Sequence, residues 1–295
     1  VRSGFPREGK KDMGFKLAIS SYSFHRFGEG PEGKEKPSFS AMIERCAELG
    51  LDGIELLGVH FDSTAPEDLT ALKQHAAEHG ISIVSVSAHH NFVTPDPRKR
   101  LQQIDIIAKW VDVAAVLGAP FIRAFGGRWA TRPKFAEFMA ANGVEPPLEG
   151  YTDDDGYAWS VEAFKIASYY AGRHGVTLAL ENHWGFTGTA AGVLRILKAT
   201  DSPWLKVALD TGNFNFRPDA YGELAELAPH AAMVHAKTYV GDGLYYTADL
   251  DYRRIGKMLR EAGFSGYVSI EFEGRAHPDR GIPESVAMLR DALGD

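Results

Sequence analysis

Cysteine is nearly absent: Cys46 is the only one in 295 residues. An intrachain disulfide is therefore excluded, and so is a zinc site built from several thiolates. No apolar run approaches the roughly 18 residues that a membrane-spanning helix requires. Positive charge is not in excess either, since 32 Lys and Arg against 39 Asp and Glu leave a formal net charge of −7. That balance argues against the extended basic surface by which proteins hold nucleic acid phosphates. A dinucleotide fingerprint is missing too. The Gly28-Glu29-Gly30 stretch lies in a loop rich in Gly, Pro and charge, not in a turn from strand to helix. The expected partner is a small molecule, with no nucleic acid and no membrane; a homo- or hetero-oligomer stays open. A reducing cytoplasmic compartment is the default for so cysteine-poor a chain.

What is present is rhythm. With 44% hydrophobic residues the chain has ample material for a core. Short β-branched or apolar runs alternate with longer helical stretches. Strands are expected at residues 17–21, 53–57, 81–88, 121–125, 176–180, 205–209, 233–236 and 268–272. Helices are expected at 38–50, 67–79, 98–117, 159–174, 190–199, 221–227, 251–261 and 283–293, with an irregular insertion over 128–156. Gly50, Gly80, Gly118 and Gly175 stop helices where such signals belong. Alternating β and α elements imply a parallel sheet, and eight units over some 280 residues suit a single (β/α)8 TIM barrel of the α/β class better than two doubly wound halves. Residues 1–14, basic and polar with Met13 just before the first apolar run, read as a leader or tag; residues 15–295 read as one catalytic domain.

In such a barrel the chemistry sits at the C-terminal ends of the strands, and side chains at i and i+2 share a face. Four consecutive strands end on an ionisable group: Glu181 after Leu178-Ala179-Leu180, Asp210 after Val207-Ala208-Leu209, His235 after Met233-Val234, and Glu271 after Ser269-Ile270. One acidic residue ending a strand is commonly a helix N-cap, and one histidine a wall residue. Four on neighbouring strands form a ring whose like charges need a compensating cation. A divalent metal answers that need. Oxygen donors with one imidazole favour Mn²⁺, with Mg²⁺ or Co²⁺ as alternatives. Arg123 and Lys237 would face this ring, either to meet a substrate oxygen or as ion-pair partners of the carboxylates. His89 and His183 share inward faces nearby, and Glu55 and His60 give weaker signals. Trp129, Trp184, Phe24 and Phe186 either form an apolar wall for a ligand or pack as ordinary core.

At these residues the sequence resembles the sugar phosphate isomerase/epimerase superfamily of xylose-isomerase-like TIM barrels. The matching pieces are Leu180-Glu181-Asn182-His183, Leu209-Asp210-Thr211-Gly212-Asn213, Val234-His235-Ala236-Lys237 and Ile270-Glu271-Phe272-Glu273-Gly274. They fall in the superfamily's order, and the resemblance spans about residues 16–293. It implies one divalent metal held by Glu181, Asp210, His235 and Glu271, with Glu181 and Glu271 also exchanging protons with a sugar from opposite faces. The candidate substrate contacts are then His89, Arg123, His183, Asn213 and Lys237. The implied reaction is isomerisation or epimerisation of a monosaccharide or keto-sugar derivative, by proton abstraction α to a carbonyl through an enediolate. The alternative is a carbon–oxygen lyase or dehydratase acting on a keto-inositol, keto-sugar or 3-keto-glycoside with the same metal and glutamates. Two positions depart from the ketose 3-epimerases of the superfamily, which carry His where this chain has Asn213 and Arg where it has Gly241. Loops 26–37, 128–156 and 239–249 are expected to shape the pocket.

Overall fold

The computed structural model describes residues 14–24 and 37–294. The expected leader therefore lies outside the described residues apart from Gly14, and loop 26–37 does so apart from Pro37. Eight strands form the centre: β1 (Lys16–Ser20), β2 (Gly53–Leu57), β3 (Ser82–Ser87), β4 (Phe121–Phe125), β5 (Thr177–Glu181), β6 (Leu205–Asp210), β7 (Ala231–Thr238) and β8 (Tyr267–Phe272). They pair in chain order as a closed parallel barrel, with β8 returning to β1 through Leu17↔Val268 and Ile19↔Ile270. Around it run α1 (Phe39–Glu48), α2 (Pro66–Glu78), α3 (Pro97–Leu117), α4 (Phe135–Ala140), α5 (Asp153–Arg173), α6 (Ala190–Thr200), α7 (Ala220–Leu227), α8 (Tyr252–Glu261) and α9 (Pro278–Leu293). This is the (β/α)8 barrel that the alternation implies. Among the described residues no helix is long and apolar enough to cross a membrane.

Strand parity explains the core and the site together. A parallel strand is covered on both faces, so both sets of side chains are buried. The outward set, with Ile54, Leu56, Ile122, Leu178, Leu180, Val268 and Ile270, joins the large core between barrel and helices. The inward set is smaller. Ala179, Ala208 and Met233 pack with Phe121 in a separate cluster that fills the barrel interior. Following that inward set to the strand ends brings the chain to Glu181, Asp210, His235 and Glu271.

The helices differ from expectation at three places, each with a local cause. α5 begins six residues earlier than 159, because Thr152 and Asp155 cap its start: Asp155 Oδ2 accepts from Thr152 N at 2.8 Å, and Asp153, Asp154 and Asp155 fill the first turn. α9 begins at Pro278, with His277 Nδ1 accepting from Asp279 N at 3.3 Å, so Pro283 sits inside the helix. A proline one turn in forfeits a single backbone donor. The insertion expected to be irregular holds α4, which Phe138, 0% exposed, anchors to the body of the protein.

Candidate active site

The barrel register sets the ring. Asp210 pairs with His235 across β6 and β7, and Lys237 pairs with Glu271 across β7 and β8. One ligand atom from each of Glu181, Asp210, His235 and Glu271 lies within 4.8 Å of all the others. His235 Nδ1 stands in the middle, 3.7 Å from Glu181 Oε1, 3.8 Å from Asp210 Oδ2 and 3.6 Å from Glu271 Oε1. All four residues are buried. His235 Nδ1 and Asp210 Oδ2 have no hydrogen-bond partner among the described residues. Buried polar atoms are costly when unpartnered, and two of them aimed at the same small space is what a cation site offers its ion.

Much of the rest of the ring is held from behind. His235 Nε2 donates to Glu55 Oε2 at 2.9 Å, and Glu55 also accepts from Ser87 Oγ and, at 3.2 Å, from Ser269 Oγ. Asp210 Oδ1 accepts from the backbone N–H of Gly212 at 2.8 Å and of Asn213 at 2.9 Å. The turn that aims those donors requires glycine, because a Cβ on Gly212 would lie 2.7 Å from the Tyr239 hydroxyl and 2.8 Å from Lys237 Cδ. Asn182 locks the ends of β5 and β6 together: its Oδ1 accepts from Asp210 N at 2.7 Å and its Nδ2 donates to Asp210 O at 2.9 Å.

The two glutamates have matching surroundings. Glu181 turns Oε1 toward His235 and Oε2 toward Arg123 Nε, 3.3 Å away. Glu271 turns Oε1 toward His235 and accepts from Lys237 Nζ through Oε2 at 2.7 Å. Lys237 also donates to Glu273 at 3.0 Å and stands 3.4 Å from Asp210 Oδ2. Burial alone would raise the Glu181 carboxyl, but Arg123, His183 and His235 together outweigh burial and hold the group below the usual carboxylate range. Asp210 goes the other way: burial, with Glu271 and Glu181 beside it, pushes it up to about 8. A cation between these carboxylates would displace protons from them.

A sequence profile of the xylose isomerase-like TIM barrel matches residues 43–292. The chain belongs to that family. D-psicose 3-epimerase of Agrobacterium fabrum is 25% identical over 253 residues, covering 79% of this chain and 78% of the relative. Among solved structures, the D-psicose 3-epimerase of Clostridium cellulolyticum H10, crystallised with D-tagatose, aligns with TM-score 0.73 at 18% identity over 95% of this chain and 99% of that one. A 3-keto-D-glucoside 4-epimerase of E. coli aligns with TM-score 0.73 at 17% identity over 94% and 99%. These two structural likenesses are likenesses of fold.

In this member of the xylose isomerase-like family the ring opens into a cavity of about 570 Å³. His89, Arg123, His183, Asn213 and Lys237 all line it, together with Glu181 and Glu271. Arg123 lies with its guanidinium 4.1 Å from the centre of the Phe125 ring, and Lys237 is 4% exposed, so both cations are ion-paired and also face the cavity. Asn213 donates to Glu181 Oε1 at 3.0 Å and accepts from Tyr246 Oη at 3.2 Å. Burial holds the His183 imidazole down to about 4, with Arg123 adding to the shift, so it is neutral near pH 7. His60 lines the same cavity.

The aromatic wall differs from expectation. Of Trp129, Trp184, Phe24 and Phe186, only Trp184 lines this cavity. Phe24 ends the turn that follows β1 and is buried in the main core. Trp129 packs edge-to-face with Trp159 and Phe186 and faces a neighbouring cavity instead. The aromatic residues that do face the ring's cavity are Tyr22, Phe125, Phe135, Tyr245 and Tyr246. Most of these lie on loops or turns, where no strand parity betrays their direction. Glu55 had one signal, a carboxylate inside the apolar run Gly53-Ile54-Glu55-Leu56-Leu57, but its partner is on a strand 180 residues away.

Proposed function

We propose that this chain is a divalent-metal-dependent sugar epimerase or isomerase that works by moving a proton on the carbon next to a carbonyl. The observation that carries the reading is the ring itself. Two buried glutamates from β5 and β8 flank two buried atoms without hydrogen-bond partners, His235 Nδ1 and Asp210 Oδ2, at the floor of a cavity large enough for a sugar. The likeness to D-psicose 3-epimerase supports a ketose or keto-sugar as the substrate. Glu181, Asp210, His235 and Glu271 would hold one ion, and three carboxylates with one imidazole favour Mn²⁺, then Mg²⁺ or Co²⁺. When bound there, the ion would act as a Lewis acid that polarises the sugar carbonyl and makes the neighbouring C–H acidic.

The chain's own residues then divide the work. Arg123 keeps Glu181 ionised, the form that accepts a proton, while Lys237 fixes the second oxygen of Glu271. One glutamate takes the proton and the other returns it, so the configuration at that carbon inverts when they serve opposite faces. His89, His183 and Asn213 line the cavity and would orient the sugar hydroxyls, with neutral His183 able to donate or accept. The test is a panel of ketoses, among them D-fructose, D-tagatose and L-ribulose, incubated with Mn²⁺-loaded protein and resolved by chromatography. An epimer or isomer whose formation stops with chelator and returns with Mn²⁺ supports the reading. Loss of water or of an attached group instead would point to elimination by the same glutamates. Loaded protein that converts no keto-sugar would overturn it.

A further inference from the structure

The cavity over Glu181 and Glu271 is larger than one sugar ring fills. About 570 Å³ is in the range that encloses most of a drug-sized ligand, whereas a hexose has only about 12 non-hydrogen atoms. The two ends of the cavity also differ in chemistry. Its floor is the charged ring. Near its mouth three aromatic side chains meet from three separate segments: Phe135 from α4, Trp184 from the loop after β5, and Tyr245 from the loop after β7. The Phe135 ring centre lies 5.6 Å from that of Trp184 and 5.0 Å from that of Tyr245.

This shelf is not core. Phe135 is 44% exposed and Tyr245 43%. The short helix α4 is already anchored by Phe138, which is fully buried and packs on Trp184 at 5.1 Å. Phe135 is thus not the buried anchor of its helix, and it presents an apolar ring to the cavity. A neighbouring cavity of about 370 Å³ shares Trp184 and Asn213, but its charged groups are committed to the local fold. Glu145 accepts from the N–H groups of Ala130 and Arg132, Asp153 from Trp129 Nε1, and Arg217 donates to Glu223. The aromatic shelf is the better seat for further ligand bulk, and aromatic faces favour an apolar or flat ring.

We propose that the substrate carries a second, apolar ring, as an aryl glycoside does, with the sugar over Glu181 and Glu271 and the appended ring on Phe135, Trp184 and Tyr245. This rests on the sugar reading above and narrows it. A glycosidic bond closes the anomeric carbon as an acetal, so the carbonyl needed for α-proton removal must be a ketone at another ring carbon. The proton leaves a carbon next to that ketone and goes to one glutamate while the C–H electron pair moves toward the carbonyl oxygen; as the pair moves back, a proton returns to the same carbon, and no oxidant is consumed. The substrate must then come from a reaction that oxidises a ring hydroxyl to a ketone and spares the glycosidic bond.

Calorimetric titration of the Mn²⁺-loaded protein with D-glucose, methyl β-D-glucopyranoside, phenyl β-D-glucopyranoside and cellobiose tests this. The phenyl glycoside should bind at least about tenfold more tightly than the methyl one, the gain expected from covering an aromatic ring. Phe135→Ala and Tyr245→Ala should each cut that gap to less than about threefold, with thermal midpoints showing that the variants are folded. Equal affinity for the phenyl and methyl glycosides, a gap that survives both substitutions, or cellobiose gaining as much as the phenyl glycoside would overturn the proposal. Deuterium uptake into a free ketose, measured on the same preparation, reports the epimerase reading separately: uptake without phenyl preference defeats only the shelf assignment, and phenyl preference with no uptake into any keto-sugar defeats the underlying reading.

Discussion

Glu55 on β2 reaches across the inside of the barrel to His235 on β7 and accepts from its Nε2 at 2.9 Å. That bond holds the hydrogen on Nε2 and turns Nδ1 into the middle of the acidic ring, where a cation would take its lone pair in place of a proton. Burial disfavours the charged imidazole, but Glu55 and Glu271 outweigh it and raise the His235 pKa well above its ordinary value. Carboxylates placed behind a ligating histidine in this way typically govern metal affinity by 10–100-fold. Glu55→Gln should therefore weaken Mn²⁺ binding by about tenfold or more in a direct titration, while circular dichroism shows the barrel intact. Unchanged affinity would mean that Glu55 only fills the interior.

Asn182 gives a stability test that does not depend on the metal. Its side chain satisfies both the N–H and the C=O of Asp210, and it is 0% exposed. Asn182→Ala leaves two buried backbone groups unpaired at about 1–3 kcal/mol each, so a loss of roughly 2–6 kcal/mol is expected in urea unfolding. A loss under about 1 kcal/mol would show that water replaces the amide there.

His90 gives the pH test. Burial, with Arg123 nearby, holds its imidazole down to about 3, while Nε2 bonds the carbonyl of Phe125 at 3.1 Å. An unfolded histidine titrates near 6.5, so between pH 6.5 and 3 the unfolded chain binds the extra proton. Stability from this group is therefore complete above about pH 6.5 and is lost as the pH falls, at up to roughly 1.4 kcal/mol per pH unit. Between pH 6.5 and 5, above the ordinary carboxylate range, wild-type stability should fall more steeply than that of His90→Gln. Parallel curves for the two proteins would contradict the assignment.

The legible part of this site was the part written on strands. In β5 to β8 the inward parity that places Ala179, Ala208 and Met233 inside the barrel also places Glu181, Asp210, His235 and Glu271 at its rim, so period-two alternation was enough to find all four. The fold was legible for a related reason: apart from α4, each helix ends at glycine or begins at a capping residue, and the strands are short, largely apolar runs. Three things were less readable. Glu55 acts on a residue five strands on in chain order but across the barrel, and only closure of the sheet reveals that contact. Phe135 and Tyr245 sit on the insertion and the β7–α8 loop, whose paths depend on tertiary packing. Phe24 looked available near a strand end, yet the turn that follows β1 carries it into the core.

Glu181 and Glu271 are proposed to move a proton on a sugar carbon while helping to hold a metal. The most direct measurement is NMR of α-proton exchange in deuterated buffer, made on Mn²⁺-loaded wild type, Glu181→Gln and Glu271→Gln with a ketose that the wild type converts. Wild type should place deuterium at the reacting carbon, and each variant should lose turnover by at least about 10²-fold, the usual scale for removing a general acid or base. Metal titration of the same variants separates lost chemistry from lost metal. Full exchange and turnover in both variants, in metal-free buffer, would contradict the account.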